Sequence, residues 1–336
     1  MNKLYKKLQS ADESERIYAI DDMTENMNDE VFENFLERLK IESSQLVKDK
    51  LVMHMEAALA EQKVGGGSVF ARVFALYLAH NAYLRSSAIQ ILSAGNNAVA
   101  KFLSANYADS NADVRKLIVD TLAEIGNDTA KNAIRKALND KDINVRITAI
   151  EHLGNLKDID SAPQLISMLQ SSEKEMLSMS VCASIEQING VQYMIEAINI
   201  LLPDKNIDNI NGLYFSSVLS LIAKCWEKQE LLEVLKTERI KNNYENYQVE
   251  MVNFLTTANA RFPELINENI VIYTIVELLK AENMDDKMPF IALSLLENSN
   301  NQTLRQNLNE YYSSEDIDIK DFSKKIVAEI SEEYNF

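Results

Sequence analysis

Apolar positions in this chain fall three and four residues apart in block after block. Ala149, Ile150, Leu153 and Leu156 make one stripe at i, i+1, i+4 and i+7, the spacing that gathers side chains on one helix face. A second stripe follows each first one: Ala130, Ala133, Ile134, Ala137 and Leu138, then Ala162, Leu165, Ile166 and Leu169. Short polar turns separate the stripes, as at Asn96-Asn97, Gly126-Asn127-Asp128 and Lys157-Asp158-Ile159-Asp160. Asn and Asp there can accept the free N–H groups of the next helix. Pro163 falls in a first turn, where proline is tolerated. No stretch alternates in the two-residue rhythm of a strand, and 4 prolines with 8 glycines in 336 residues leave helices uninterrupted. The pattern predicts an all-α chain.

The stripes themselves recur. Arg16-Ile17-Tyr18-Ala19-Ile20 and Arg146-Ile147-Thr148-Ala149-Ile150 are near copies. Val114-Arg115 through Ile125 matches Val145-Arg146 through Leu156 at a spacing of ~31 residues, inside the range of helical arrays. Leu84-Arg85 precedes them, Ile185 and Ile188 continue the series, and Leu295 and Val327 repeat it late in the chain. In such an array each repeat buries its apolar face on the next, so the length prior of about two domains gives way to one stack. About nine helix pairs with a terminal helix at each end are expected.

The run from Asp142 through Gly154, followed by Asp160-Ser161-Ala162-Pro163-Gln164-Leu165-Ile166, resembles a HEAT repeat. Residues 82–170 carry the resemblance best, 10–30 and 285–334 less fully, and 190–284 only in helical rhythm. The resemblance implies a right-handed α-α superhelix whose second helices line the concave face. It implies little about function, because repeat scaffolds host many activities.

The chain is expected to be a single solenoid over 1–336. N-terminal repeats cover 1–64, with helices at 14–27, 29–41 and 43–61. Regular repeats cover 65–202, longer degenerate helices 203–284, and a repeat with a polar cap 285–336. Leu202 through Gly212, dense in Pro, Asp, Asn and Gly, is the strongest internal break, and 242–260 with 262–281 reads as a long helix pair. The cap is acidic, with Glu315, Asp316, Asp318, Asp321, Glu329, Glu332 and Glu333. Gly65-Gly66-Gly67 lacks the Gly-Lys-Ser/Thr of a phosphate-binding loop and reads as a turn or hinge.

Charge sharpens the picture. The net charge is −17, yet residues 63–157 hold 12 basic and 8 acidic groups, so the middle is positive in an acidic chain. That imbalance steers partners and argues against nucleic-acid binding along the whole array. Cys182 and Cys225 are 43 residues apart, outside any paired-cysteine motif, and read as free thiols of a reducing compartment. No apolar run approaches ~18 residues and no leader is visible, so a cytoplasmic protein without membrane contact is expected.

Candidate chemistry is sparse. His54, His80 and His152 are isolated, with no metal-ligand spacing. No nucleophile elbow exists. Asp21-Asp22 and Asp285-Asp286 suit helix N-termini or turns. Trp226 with Lys224 and Lys228 reads as a packed junction rather than a nucleic-acid site. No catalytic residue, metal or cofactor is therefore expected. Arg16, Arg85, Arg115 and Arg146 share one repeat position and read as one side of an Arg–Asp ladder, with Asp109, Asp113, Asp140 and Asp142 as partners. Arg72, Lys101, Lys131, Arg135 and Lys136 lie on second helices, with Phe70, Phe74, Tyr77, Phe102 and Tyr107 near them. They form the candidate partner surface. The leading expectation is a non-enzymatic scaffold or adaptor that binds a protein partner, one with an acidic segment. The alternatives are an accessory enzyme of the HEAT-like bilin-lyase type acting on a protein-bound cofactor and, further back, a HEAT-like DNA glycosylase.

Overall fold

Asn, Asp and Ser residues start the helices of the N-terminal half. In a computed structural model, which describes residues 2–108, 110–171, 175–210, 212–280, 287–312 and 319–334, the side chains of Asp12, Asn28, Ser44, Asn81, Asn96, Asn111, Asn127 and Asp142 each accept a backbone N–H one turn ahead. Each such cap is worth ~1 kcal/mol and fixes where its helix begins. Among the described residues the chain is helical without strands. Asp109, Asp285, Asp286, Glu315, Asp316 and Asp318 lie outside the described residues.

The chain forms two compact units, Met1–Ser161 and Ala162–Phe336. The first contains α1 (Asn2–Leu8), α2 (Glu13–Thr24), α3 (Asp29–Ile41), α4 (Gln45–Ala60), α5 (Gly67–Phe74), α6 (Ala82–Ser93), α7 (Asn97–Asn106), α8 (Ala112–Ile125), α9 (Asp128–Ala137) and α10 (Ile143–Asn155). Helices α2, α4, α6, α8 and α10 pack in succession as one row. Helices α3, α5, α7 and α9 form the second row, and the core lies between the two rows. The predicted stripes supply that core: Ala149, Ile150 and Leu153 from α10 are fully buried, as are Ala130, Ile134 and Ala137 from α9. Complete burial of an Ile or Leu is worth ~1.5–3 kcal/mol, which makes the stripes the main source of stability.

Turn geometry closes each pair. Gly126 ends α8 at φ +63° with its N–H on Leu122 O, a left-handed stop that glycine adopts without strain. Lys157 makes the equivalent turn after α10 at φ +50°, with its N–H on Gly154 O and that of Asp158 on Leu153 O. Of the three consecutive glycines only Gly66, at φ +111°, has a conformation that needs one, and it leads directly into α5.

The second unit runs α11 (Ala162–Ser171), α12 (Glu175–Ile188), α13 (Val191–Leu201), α14 (Phe215–Cys225), α15 (Lys228–Leu235), α16 (Glu238–Lys241), α17 (Gln248–Arg261), α18 (Asn269–Lys280), α19 (Lys287–Leu296), α20 (Gln302–Tyr312) and α21 (Ile319–Tyr334). The expected break after Leu201 holds two short 3-10 turns, Ile207–Asn209 and Gly212–Tyr214, instead of a helix. The long helix expected from 242 starts instead at Gln248. Before it, Arg239 stacks on the ring of Phe215 at 4.3 Å and lies 5.8 Å from that of Tyr247, while its guanidinium donates to Ile210 O. That knot holds the chain in a turn where apolar spacing alone suggests more helix.

Candidate interaction surface

The repeated arginine is the fourth residue of its helix in α2, α6, α8 and α10. From there its guanidinium reaches back over the incoming turn. Arg16 donates to Ser10 O and Ala11 O, Arg85 to Ala79 O and His80 O, Arg115 to Ser110 O, and Arg146 to Asp140 O. Each arginine thus replaces water on carbonyls that no helix satisfies.

Two of the four also hold a buried carboxylate from the next repeat. Arg115 binds Asp140 through Nε and Nη2, both at 2.7 Å, and Arg16 binds Glu42 at 2.9 and 3.0 Å. Asp140 further accepts from Tyr107 OH and Asp142 N–H; Glu42 accepts from Arg38, Ser43 N–H and Ser44 N–H. Burial alone would raise both carboxyl pKa values. The donors overcome it and hold each at about 2, Glu42 chiefly through Arg38 and Asp140 chiefly through Arg115. The ladder therefore holds at Arg115 with the expected Asp140, and at Arg16 with Glu42, which was not among the expected partners. Arg146, expected to be a rung, makes one bond among the described residues, to Asp140 O, and Asp109, one of the expected partners, is outside the described residues.

Lateral polar pairs tie the first row together. Lys50 reaches Asp21 at 2.7 Å, Tyr83 OH reaches Asp49 at 2.9 Å, Gln90 reaches Glu56 at 2.8 Å, and His152 Nε2 lies 2.8 Å from Asp120. His54 lies 3.6 Å from Asp21, and burial together with the nearby Lys50 lowers its pKa. The Asp120 contact accounts for His152 in structural terms, whereas His54 Nε2 is buried without a hydrogen-bond partner among the described residues.

The second row has a different surface. The sequences of α5, α7 and α9 contain Arg72, Lys101, Lys131, Arg135 and Lys136 against one acid, Asp128. Two of the five cations are engaged. Arg72 pairs with Glu33 at 2.9 Å, and Arg135 makes two bonds to Asp158, at 2.5 and 2.7 Å, plus one to Asp160 at 2.9 Å. Lys101, Lys131 and Lys136 have no ion pair among the described residues; Lys101 and Lys136 are exposed and Lys131 is half-buried. Between them the exposed positions are small: Ala71, Ala75, Ala98, Ser104, Ala105 and Ala108. Phe70 and Tyr77 are core, and Phe74, Phe102 and Tyr107 are half-buried. Phe70 and Phe74 meet Phe102 edge-on at 5.7 and 5.8 Å, and Tyr77 OH bonds Thr121 inside the unit. What sequence reasoning missed is the small, acid-poor ground around the lysines; its signal is the near-absence of Asp and Glu from three second helices.

Elsewhere, Cys182 is buried and its thiol is pushed up to about 12 by burial and by Glu186. Cys225, partly exposed, is raised by burial. Trp226 is almost fully buried, with Lys205 over its ring at 5.6 Å. Among the described residues no group of three His, Cys, Asp or Glu could hold a metal, and no helix is long and apolar enough to cross a membrane.

The family model for HEAT repeats matches residues 99–186. Residues 99–186 are HEAT repeats. The matched stretch includes Arg115–Asp140, Arg135–Asp158, Lys101, Lys131 and Lys136. The chain is a helical repeat scaffold. It is similar to a chain in the complex of CpcE and CpcF of phycocyanin lyase from Nostoc sp. PCC7120, at 16% identity over 77% of this chain and 94% of that one, with a TM-score of 0.38. It is also similar to a designed armadillo repeat protein, at 18% identity over 56% and 99% of the two chains, with a TM-score of 0.26. At these scores neither likeness bears on function. No curated protein matches the chain.

Proposed function

We propose that this protein is a non-enzymatic adaptor that holds an acidic segment of a protein partner against the solvent-exposed face of α5, α7 and α9. One observation carries the reading: three lysines without ion pairs stand on small-residue ground in a chain of net charge −17. An acidic backbone can approach Ala98, Ala105 and Ala108 closely, and Lys101, Lys131 and Lys136 then supply charge at the edges. Such a surface acts mainly on association rate and selectivity, both weakened by salt. Arg72 and Arg135 position the face through Glu33 and the Asp158–Asp160 pair, and take little part in contact.

The test is titration of a labelled polyglutamate peptide with the wild-type chain and with Lys101→Glu/Lys131→Glu/Lys136→Glu. Circular dichroism controls for folding. Salt-sensitive binding by wild type and its loss in the triple variant are expected. Equal binding by the two proteins refutes the assignment of this face.

A further inference from the structure

The four repeat arginines end differently. Arg16 and Arg115 each commit Nε and Nη2 to a buried carboxylate. Arg85 uses Nη1 on Ala79 O at 2.7 Å and His80 O at 3.1 Å, and no described residue takes its Nε or Nη2. Arg85 also lines an open groove of about 550 Å3 between the turn that precedes α6 and the first two turns of α8. The lining adds Lys116, Leu117 and Leu78, the last 66% exposed. It also contains Asp113 and Asp120, of which Asp120 faces His152 at 2.8 Å.

We propose that this groove binds a short extended peptide segment through a single Asp or Glu side chain flanked by apolar residues. The carboxylate takes Nε and Nη2 of Arg85 in the two-bond geometry that Asp140 uses on Arg115. Lys116 adds a second positive charge, and Leu78 and Leu117 cover the apolar neighbours. Asp113 and Asp120 define the selectivity: a run of acids would bring like charges against them, so the groove discriminates against the polyacidic segment that suits the lysine face. The two sites lie on different elements, and this one does not depend on the adaptor reading.

The probes are fluorescein-labelled Ala-Leu-Glu-Leu-Ala and its Gln counterpart, titrated with the full chain and read by anisotropy. Saturable binding with about tenfold preference for the Glu peptide is expected, the size of effect a charge-assisted bond produces. Arg85→Gln should erase that preference; Lys101→Glu/Lys131→Glu should leave it intact. Arg85→Lys keeps the charge but loses the two-bond geometry, and serves if Arg85→Gln does not fold. Equal affinity for the two peptides, or an unchanged preference in the Arg85 variants, overturns the proposal. A further arm uses Asp109→Asn, because Asp109 precedes the Asn111 cap by two residues, as Glu42 precedes Ser44 and Asp140 precedes Asp142. A melting temperature lowered as much as by Asp140→Asn would mean that the chain supplies its own carboxylate to Arg85, and overturns the proposal equally. An unchanged melting temperature supports it.

Discussion

Replacing Arg115 by Leu should destabilise the first unit more than the same change at Arg146, although the two arginines occupy one repeat position. Arg115 and Asp140 are buried, with side chains 4% and 3% exposed, and two 2.7 Å bonds join them. Leucine leaves Asp140 with Tyr107 OH and Asp142 N–H but without a counter-charge. Removing one member of a buried pair costs ~3–5 kcal/mol. Among the described residues Arg146 loses one charge-assisted bond to Asp140 O, worth ~1.5–3 kcal/mol. For a unit of this size ~1 kcal/mol moves Tm by ~2–4 °C, so the first variant should melt ~6–20 °C lower and the second ~3–12 °C lower. Differential scanning calorimetry on the full chain, at matched protein concentration, measures both.

The pH dependence gives an independent check on the cause. The Asp140 carboxyl sits at about 2 against an ordinary value of 3.8, a folded pKa below the unfolded one. Its contribution is therefore complete above pH ~4 and is lost as pH falls toward 2. At ~1.4 kcal/mol per unit this is ~2–3 kcal/mol, so the stability gap between wild type and Asp140→Asn should close by about that amount from pH 5 to pH 2. Equal Tm shifts for Arg115→Leu and Arg146→Leu, or a gap that does not change with pH, would refute the assignment of stability to this pair.

Glu42→Gln should follow the same acid profile, since its carboxyl is also held at about 2 against an ordinary 4.5; the stability it adds should disappear between pH ~4.5 and 2 in chemical denaturation. Lys157→Gly and Gln62→Gly should each raise Tm by relieving a left-handed backbone at φ +50° and +58°, by ~0.5–1 kcal/mol on the stability scale. In the native chain Cys182 should resist a thiol reagent at pH 8 and react only after denaturation, because burial holds its thiol up to about 12; rapid native labelling at Cys182 would contradict that burial.

The fold was largely readable because a helix core has a period. Ala149, Ile150 and Leu153 announce their face by spacing, and Asn111, Asn127 and Asp142 announce where helices start by chemistry that acts within one turn. Both signals are local. The stretch before α17 escaped because its decisive contact is not local: Arg239 bonds Ile210 O and stacks on Phe215, residues more than twenty positions away with no periodic relation to it. The interaction surface escaped in part for the same reason. A surface cation is available to a partner only when no acid lies within ~4 Å, and the acids that engage Arg72 and Arg135 are Glu33, 39 residues before, and Asp158, 23 residues after. The spacing that would reveal such pairs shifts with loop length between repeats. Even within the arginine row the partner is Glu42 at one step and Asp140 at another, 26 and 25 residues on. What does stay in register is distance to the following cap, since Glu42 and Asp140 each stand two residues before it. Counting from caps rather than from the repeat period is therefore the route by which a sequence of this kind discloses its buried ion pairs, because the cap sets the turn on which the carboxylate rides.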